Sequence, residues 1–376
     1  MNFQQNPKLV ESVESLIGRT PIVRLKASLT GVPSGSWLKK RLSKPVPASI
    51  QSELYAKVEF FNPGGSVKDR IALSIVNTAE RDGRLKKGGT IVEATSGNTG
   101  AGLALVAAVR GYKAIFIMPD KMSAEKINAL RAYGAKVVVV PTSVEPTHPD
   151  YYCNVAKRIA DETPGAFLAN QYFTPDNPQA HYDTTGPEIW DQMEGRIDVF
   201  VAGAGTGGTI SGTARYLKEK NPKIRIVAVD PEGSIYEGMI RDGKPSPTKS
   251  YLVEGVGEDM MPATIDLKLI DDCVTVNDVE SFAATRMLAQ REGLLVGGSC
   301  GSAFYGAFQY LQFLESQEKR PLRAVVLLPD SGSRYLSKIF NPRWLQEKSV
   351  EAGWGDLELG AAVEYLPSAK KIEGVL

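Results

Sequence analysis

The sequence predicts an α/β protein with two mostly parallel, twisted sheets flanked by helices. Short β-branched strands alternate with helical segments from residue 68 to residue 328. Such strands have too few polar positions for an exposed face, so helices must cover both sides. Residues 90–119 and 198–231 repeat the same order of strand, glycine-rich loop, helix and strand. This repeat predicts two α/β units that divide near residues 170–178.

The spacing of apolar residues, together with the glycines and prolines that interrupt it, predicts each helix and strand. The predicted strands cover residues 20–25, 53–60, 90–93, 114–118, 136–140, 166–168, 198–202, 224–230 and 323–328. The predicted helices cover residues 71–83, 100–111, 124–133, 151–161, 185–193, 208–219, 279–292 and 302–315.

We expect a smaller N-terminal domain at 54–172, a larger domain from 8–53 plus 173–345, and a C-terminal tail at 346–376. Residues 27–52 are rich in proline, glycine and serine and carry several basic residues. That composition predicts a solvated surface loop.

Charge and hydropathy exclude several classes of function. The chain has 44 basic and 43 acidic residues, which gives no sign of a nucleic-acid or anionic-membrane partner. Its apolar runs are too short to cross a bilayer, and the first residues do not form a signal peptide. Three scattered cysteines build neither a disulfide framework nor a zinc site. We therefore expect a cytoplasmic protein without a metal site.

Lys68 is the first candidate functional residue. It follows the break Pro63-Gly64-Gly65 at the end of a predicted strand, and Ser66 with Asp69 has the spacing of a helix capping box. Lys68 would then lie in the first helical turn, where the helix dipole disfavours an ammonium. A neutral amine at that position is a nucleophile. A single first-turn lysine is more commonly a surface residue, so this interpretation depends on the loops elsewhere in the chain.

Residues 95–100 and 203–209 form two glycine-rich loops between a strand and a helix. The first, Thr-Ser-Gly-Asn-Thr-Gly, offers hydroxyls and free N–H groups to a small anion, or is only a polar turn. The second matches G-x-G-x-x-G, with Asp230 at the end of the next strand. That pattern fits the dinucleotide fingerprint of an NAD-dependent oxidoreductase, but the same geometry binds any phosphate.

A third loop, residues 297–301, fits the nucleophile-elbow pattern G-x-S-x-G around Ser299. An α/β-hydrolase requires its histidine after the serine. Both histidines, His148 and His181, precede Ser299, and we expect both to be structural. Pyridoxal 5′-phosphate needs an amine for its imine, a cradle for its phosphate and a partner for its pyridine nitrogen. Lys68, the loop at residues 203–209 and the hydroxyl of Ser299 could supply these three, and the anion loop at residues 95–100 could bind a carboxylate.

These motifs carry a family resemblance. Residues 62–70, 95–100, 170–172, 184–189 and 205–209 resemble fold-type II pyridoxal-phosphate enzymes, the cysteine synthase and cystathionine β-synthase family. The resemblance covers about residues 12–344. Residues 253–259, Val-Glu-Gly-Val-Gly-Glu-Asp, look like the cystathionine β-synthase branch, since cysteine synthases usually have glutamine where Glu254 stands. Vertebrate members have tyrosine where Glu258 stands.

The resemblance implies a role for each matched residue. Lys68 would hold the cofactor covalently and act as the base, Asn98 would contact the ring hydroxyl, and Ser299 would face the pyridine nitrogen. Glu254 would assist proton transfer. The implied phosphate ligands are Gly205, Thr206, Gly207, Gly208 and Thr209. The implied substrate ligands are Thr95, Ser96, Gly97, Thr99, Gln171 and Gly255.

The implied reaction is β-replacement, because a neutral hydroxyl at Ser299 makes the ring a weak electron sink that suits prompt β-elimination. The substrates would be serine and homocysteine, and the products cystathionine and water, in transsulfuration. The alternative is a cysteine synthase that uses O-acetylserine or O-phosphoserine with sulfide. We also expect a homodimer, no regulatory tandem domain, and no heme, because no Cys or His precedes Lys68.

Overall fold

The computed structural model describes residues 9–26, 30–42, 46–145, 147–318 and 320–350, and it contains two sheets flanked by helices. The six-stranded sheet has the order β1-β2-β10-β7-β8-β9, and all its strands are parallel except β1, which is antiparallel to β2. The four-stranded sheet, β5-β4-β3-β6, is fully parallel. The predicted two-sheet α/β architecture is confirmed.

The strands are β1 (Ile22–Arg24), β2 (Glu53–Val58), β3 (Thr90–Ala94), β4 (Lys113–Pro119), β5 (Lys136–Val140), β6 (Ala166–Leu168), β7 (Val199–Gly203), β8 (Arg225–Pro231), β9 (Asp272–Val276) and β10 (Arg323–Leu328). The helices are α1 (Ser36–Arg41), α2 (Lys68–Arg81), α3 (Asn98–Arg110), α4 (Ala124–Ala132), α5 (Tyr152–Glu162), α6 (Asp176–Ala180), α7 (Gly186–Gln192), α8 (Gly208–Lys220), α9 (Tyr236–Asp242), α10 (Asp278–Glu292), α11 (Gly298–Glu318) and α12 (Pro342–Glu347).

Both faces of the six-stranded sheet are buried, as β7 illustrates. Val199 and Val201 pack in one core with aromatic residues of α11. Phe200 and Ala202, on the opposite face, pack in a second core with residues of α8. Alternate residues of a strand point to opposite faces, so a run of apolar residues places helices on both sides. Each fully buried aliphatic or aromatic side chain contributes roughly 1.5–3 kcal/mol.

The loops that follow β3, β7 and β10 lie at the carboxyl ends of parallel strands. Ligands collect at this edge in open α/β sheets. Gly97 (φ 122°) and Gly207 (φ 80°) immediately precede α3 and α8, with backbone conformations that L side chains rarely adopt. The two glycines let each chain turn sharply from its strand into a helix whose N-terminus faces the space between the sheets.

Strand β2 does not follow the predicted domain boundary. A boundary at residue 54 would place this strand in the smaller domain, with the four-stranded sheet. Its backbone pairs with β1 and β10, so residues 53–58 belong to the six-stranded sheet. The division into 54–172 and 8–53 plus 173–345 stays a prediction, with this strand as an exception.

The prediction of a solvated loop at residues 27–52 is wrong for residues 36–41. Residues 36–41 form α1, and Trp37 and Leu38 are buried in the main core. The Trp37 indole donates a hydrogen bond to the Cys273 carbonyl over 2.9 Å. Residues 27–29 and 43–45 lie outside the described residues.

The sequence also failed to indicate β9, α9 and the short α6. Helix α12 crosses the boundary that we placed between residues 345 and 346, and residues 351–376 of the expected tail lie outside the described residues. Within the described part of the chain, no helix has the length and apolar character to cross a bilayer.

Candidate active site

A cavity of about 610 Å³ lies between the two sheets and brings most of the predicted site residues together. Three predicted residues, Thr95, Gly97 and Gly208, are buried but are not part of its wall. The predicted residues that line the cavity are Lys68, Ser96, Asn98, Thr99, Gln171, Gly205, Thr206, Gly207, Thr209, Glu254, Gly255 and Ser299.

Lys68 is the first residue of α2, but the predicted capping box is wrong. Val67 is the N-cap and makes no side-chain cap, and the Ser66 hydroxyl accepts from the Lys68 N–H at 3.3 Å. The Asp69 carboxylate accepts a hydrogen bond from the Gly64 N–H instead. Asp69 therefore closes the turn before Lys68, and the side chain of Lys68 still enters the cavity.

The amine of Lys68 has a lowered pKa, in the direction that the sequence predicted. Burial lowers the pKa of Lys68 to about 8, against the opposing effects of the acidic side chains Glu258 and Asp330. The main cause is the removal of water rather than the helix dipole on which the prediction was based. A large fraction of such amines is neutral near pH 8, which suits a nucleophile or a base.

The loop at residues 95–100 is fixed by its own side chains. The Thr95 hydroxyl accepts from the N–H groups of Gly97 (2.9 Å) and Gly100 (3.1 Å). The Thr99 hydroxyl donates to Gln171 Oε1 over 2.6 Å, and the Gln171 amide donates to the Ala94 carbonyl over 2.9 Å. Thr95 thus shapes the loop, while Ser96, Thr99 and Gln171 form the wall of the cavity.

Glu93, which the sequence did not single out, anchors Gln171. Its carboxylate accepts from the N–H groups of Asn170 (2.6 Å) and Gln171 (3.4 Å), and Asn170 has a positive φ of 55°. Burial raises the pKa of Glu93 to about 8. No sequence pattern marks this residue, because its partners lie 77 and 78 positions away.

The second loop leads into α8, and its residues Gly205, Thr206, Gly207 and Thr209 line the cavity. The first N–H groups of a helix have no partner within the helix and can bind an anion. A Cβ at Gly207 would collide with Ile265, and one at Gly208 would collide with Asn177, so both positions require glycine. Asn177 also donates to the Thr206 hydroxyl over 3.0 Å. The loop at residues 203–209 and the start of α8 thus form an anion cradle, which Asn177 supports on the side away from the cavity.

His181 supports the same cradle. Its ring is buried, with Nδ1 at 2.9 Å from the Thr185 hydroxyl and Nε2 at 3.1 Å from the Thr209 hydroxyl. Burial lowers the pKa of His181 well below 6.5, so the ring stays neutral at physiological pH. The prediction that this histidine is structural agrees with these contacts.

Asp230, the expected ribose ligand of a dinucleotide site, faces the protein interior. Its side chain is fully buried, and Oδ2 accepts from the Glu237 N–H over 3.0 Å. An acidic residue in this position does not reach a nucleotide in the cavity, which argues against the NAD-dependent alternative.

Ser299 lies in the first turn of α11, which begins four residues earlier than the sequence predicted. It is buried and lines the cavity across from the other loops. No histidine is placed to form a catalytic triad with it, since the His181 ring bonds the two threonines and His148 is exposed in a loop. Among the described residues, no group of three or more acidic, cysteine or histidine side chains is arranged for a metal ion.

Glu254 is held between two lysines. Its carboxylate lies 2.7 Å from Lys126 Nζ and 2.6 Å from Lys338 Nζ. Burial alone would raise the pKa of Glu254, but the two ammonium groups outweigh it and lower the pKa below 4.5. A carboxylate locked in this way holds no proton at neutral pH, which weighs against the predicted role in proton transfer.

The sequence profile of the family described as "Pyridoxal-phosphate dependent enzyme" matches residues 13–330. This chain belongs to that family. The cavity fits the cofactor on its own geometry: Lys68 supplies the amine, the N-terminus of α8 supplies the phosphate cradle, and Ser299 supplies a neutral hydroxyl. The prediction of pyridoxal phosphate as the cofactor is confirmed.

The relatives of this pyridoxal-phosphate enzyme include both branches that the sequence suggested. The chain is 44% identical to cystathionine β-synthase of Rattus norvegicus, across 97% of this chain and 64% of that protein. It is 41% identical to a cysteine synthase of Staphylococcus aureus, across 88% of this chain and 96% of that protein. The chain therefore spans less than two thirds of the rat protein and nearly all of the bacterial one.

Solved structures agree with this assignment. The O-acetylserine-dependent cystathionine β-synthase from Helicobacter pylori has a TM-score of 0.75 and 37% identity, covering 88% of this chain and 98% of that one. A hydrogen sulfide-producing enzyme from Fusobacterium nucleatum has a TM-score of 0.75 and 36% identity, covering 87% of this chain and 100% of that one. The fold-type II architecture is confirmed, in a family of cystathionine β-synthases and cysteine synthases.

Proposed function

We propose that this enzyme replaces the hydroxyl of L-serine with the thiol of L-homocysteine, giving L-cystathionine and water. The observation that carries the proposal is the charged outer wall of the cavity. Beyond Lys68 and the anion loop, the wall includes Lys121, Glu145 and Lys249. Side chains of both charges suit a second substrate that is itself a zwitterionic amino acid.

Sulfide needs no such surface. A cysteine synthase has to admit one small, weakly charged molecule beside the first amino acid. The cavity of about 610 Å³ is in the size range that holds a cofactor with a drug-sized ligand. The room beside Lys68 and the charged outer wall therefore favour a thiol that carries its own amino and carboxylate groups.

The roles of the residues follow from their positions. Pyridoxal phosphate, when bound, supplies the sink for the electron pair left at the α-carbon. The N–H groups at the start of α8 would bind its phosphate, and the Lys68 amine would hold it and would serve as the base for the α-proton of serine. The Ser96 hydroxyl and the second N–H of the Gln171 amide would donate to the carboxylate of serine, and the Thr99 hydroxyl holds Gln171 in place. Ser299 presents a neutral hydroxyl to the ring nitrogen.

Cysteine synthase activity is the second candidate. The Staphylococcus aureus relative, at 41% identity over 96% of its length, favours it, and the same Lys68-centred site would serve it. A third possible reaction joins O-acetylserine and homocysteine. Its donor is the one that the Helicobacter pylori cystathionine β-synthase is described as depending on. The donor and the acceptor must therefore be tested separately.

The test is a matrix of two donors, L-serine and O-acetylserine, against two acceptors, L-homocysteine and sulfide, with product identified by mass spectrometry. Cystathionine from serine and homocysteine, at the highest kcat/KM of the four pairs, is the expected result. Cysteine from O-acetylserine and sulfide as the preferred product would replace this proposal with the cysteine synthase. The proposal also includes a cytoplasmic homodimer acting in transsulfuration and cysteine biosynthesis, for which sedimentation would measure the mass.

A further inference from the structure

Glu258 is an unassigned carboxyl group in the wall of the same cavity as Lys68. Its backbone is fixed at both ends: its N–H donates to the Ser234 hydroxyl over 3.0 Å, and its carbonyl accepts from the Ile235 N–H over 3.1 Å. The neighbouring Gly257 N–H donates to the Ala204 carbonyl over 2.7 Å. The side chain is therefore presented to the cavity from a rigid loop.

The surroundings of Glu258 differ from those of Glu254, four residues earlier. Glu254 is ion-paired with two ammonium groups. Among the described residues no ion pair holds the Glu258 carboxyl, and the neutral Tyr172 hydroxyl is one of its neighbours. The Tyr172 hydroxyl in turn lies 2.9 Å from the Tyr152 hydroxyl. Two carboxyl groups on one loop are thus placed in opposite electrostatic environments.

Burial raises the pKa of Glu258 to about 8, and the like charge of Asp259 acts in the same direction. The neighbouring Tyr172 hydroxyl and the positive charges of Lys121 and Lys68 oppose that rise. Glu258 therefore carries a proton at neutral pH, and Glu254 does not. Pairs of carboxyl groups whose environments separate their pKa values commonly divide acid and base roles.

The proposed reaction needs such an acid. Hydroxide is a poor leaving group, so the C–O bond of serine breaks readily only if the oxygen receives a proton as it departs. Lys68 then holds the α-proton, which it returns to the α-carbon at the end of the cycle. Glu254 is ionised and has no proton to donate. The acetate of O-acetylserine departs as a stable anion and needs no proton.

We propose that Glu258 is the general acid that protonates the departing hydroxyl of serine and then accepts the proton of the incoming thiol. This inference rests on the proposed function. In the first half, the C–O bond breaks, its electron pair leaves with oxygen, and the Glu258 proton completes a water molecule. In the second half, the S–H proton passes to Glu258 as the C–S bond forms, and Lys68 returns its proton to the α-carbon. Protons and electrons balance over the cycle.

The test compares leaving groups in the holoenzyme. Glu258→Gln keeps the shape of the side chain and removes the acid, so kcat with serine and homocysteine should fall by roughly 10²–10⁴-fold, while kcat with O-acetylserine and homocysteine changes by less than about tenfold. Glu145→Gln is the matched control, since Glu145 is another carboxylate in the same wall and its loss should change kcat with both donors equally.

The outcomes separate the two proposals. Equal losses of kcat with both donors in Glu258→Gln would overturn the inference and leave the proposed function standing. A wild-type enzyme that uses O-acetylserine and not serine would overturn both. If Glu258→Gln fails to fold or to retain its cofactor absorbance, Glu258→Asp keeps the acid: retained selectivity for serine supports the inference, and equal loss with both donors contradicts it.

Discussion

Arg334 donates a hydrogen bond from Nη1 to Asn98 Oδ1 over 2.8 Å, which connects the segment after β10 to the start of α3. Asn98 Nδ2 in turn donates to Asp330 Oδ2 over 2.8 Å. Because arginine can only donate and a carboxylate can only accept, the two partners fix which end of the Asn98 amide faces each of them. Asp330 and Arg334 therefore orient the Asn98 side chain.

Arg334→Gln should weaken cofactor binding, because Asn98 would lose a charge-assisted hydrogen bond. Such bonds contribute roughly 1.5–3 kcal/mol, of which a part transmitted to the cofactor gives an increase of about tenfold in its dissociation constant. Titration of the apoprotein with pyridoxal phosphate, followed by tryptophan fluorescence, measures this constant. Arg343→Gln, an exposed arginine on α12, is the control and should leave it unchanged. An unchanged dissociation constant of the cofactor in Arg334→Gln would show that Asn98 is oriented without Arg334.

Glu254→Gln should destabilise the protein rather than act specifically on catalysis. Lys126 is almost fully buried, with 1% of its side chain exposed, and it would lose its paired carboxylate. Breaking a buried pair by removing one partner costs about 3–5 kcal/mol. Urea unfolding at pH 7 measures the loss. Glu125→Gln, which removes a more exposed contact between α4 and Ser337, should cost less than about 1 kcal/mol.

The same variant tests the sign of the pH dependence. The folded pKa of Glu254 lies below its ordinary value of 4.5, so its stabilising effect is fully present above that pH and is lost as the pH falls through the folded pKa. The difference in unfolding free energy between wild type and Glu254→Gln should therefore narrow below about pH 4.5. A constant difference down to acid denaturation would mean that the ion pairs do not lower this pKa.

Local patterns predicted the parts of the site that depend on backbone geometry. Glycine-rich turns after β-branched strands identified the loops before α3 and α8, and Lys68 followed from its place after the turn. Patterns failed where a side chain acts at a distance. The Asp69 carboxylate closes a turn instead of capping α2. Lys126 pairs with Glu254 only because folding joins segments 128 positions apart. The buried Trp37 lies in a proline- and serine-rich stretch, whose composition conceals its packing.

The two histidines should differ sharply in their effect on stability. His181→Ala removes both ring hydrogen bonds and leaves a hole behind the phosphate cradle, at a cost of about 2–4 kcal/mol. His148→Ala, on an exposed loop, should change the unfolding free energy by less than about 0.5 kcal/mol. Urea unfolding compares them, and the cofactor dissociation constant should rise in His181→Ala alone. Equal effects would contradict the assignment of His181 as the support of Thr209.

Lys68→Met gives a test that is independent of turnover. In wild-type apoprotein the folded pKa of Lys68 is about 8, below its ordinary value of 10.5. The unfolded chain therefore binds the extra proton between these values. The destabilising effect of the buried ammonium is constant below pH 8 and is relieved as the pH increases from 8 to 10.5, so stability rises over that interval. In chemical denaturation, Lys68→Met apoprotein should lack that rise in stability with pH. Its holo form should lack both turnover and the visible absorbance of the bound cofactor.

The control is Lys87→Met, at an exposed lysine after α2, which should keep the rise in stability with pH. The same pH dependence in both variants would mean that Lys68 is charged in the folded protein, and its interpretation as an amine prepared by burial would be wrong.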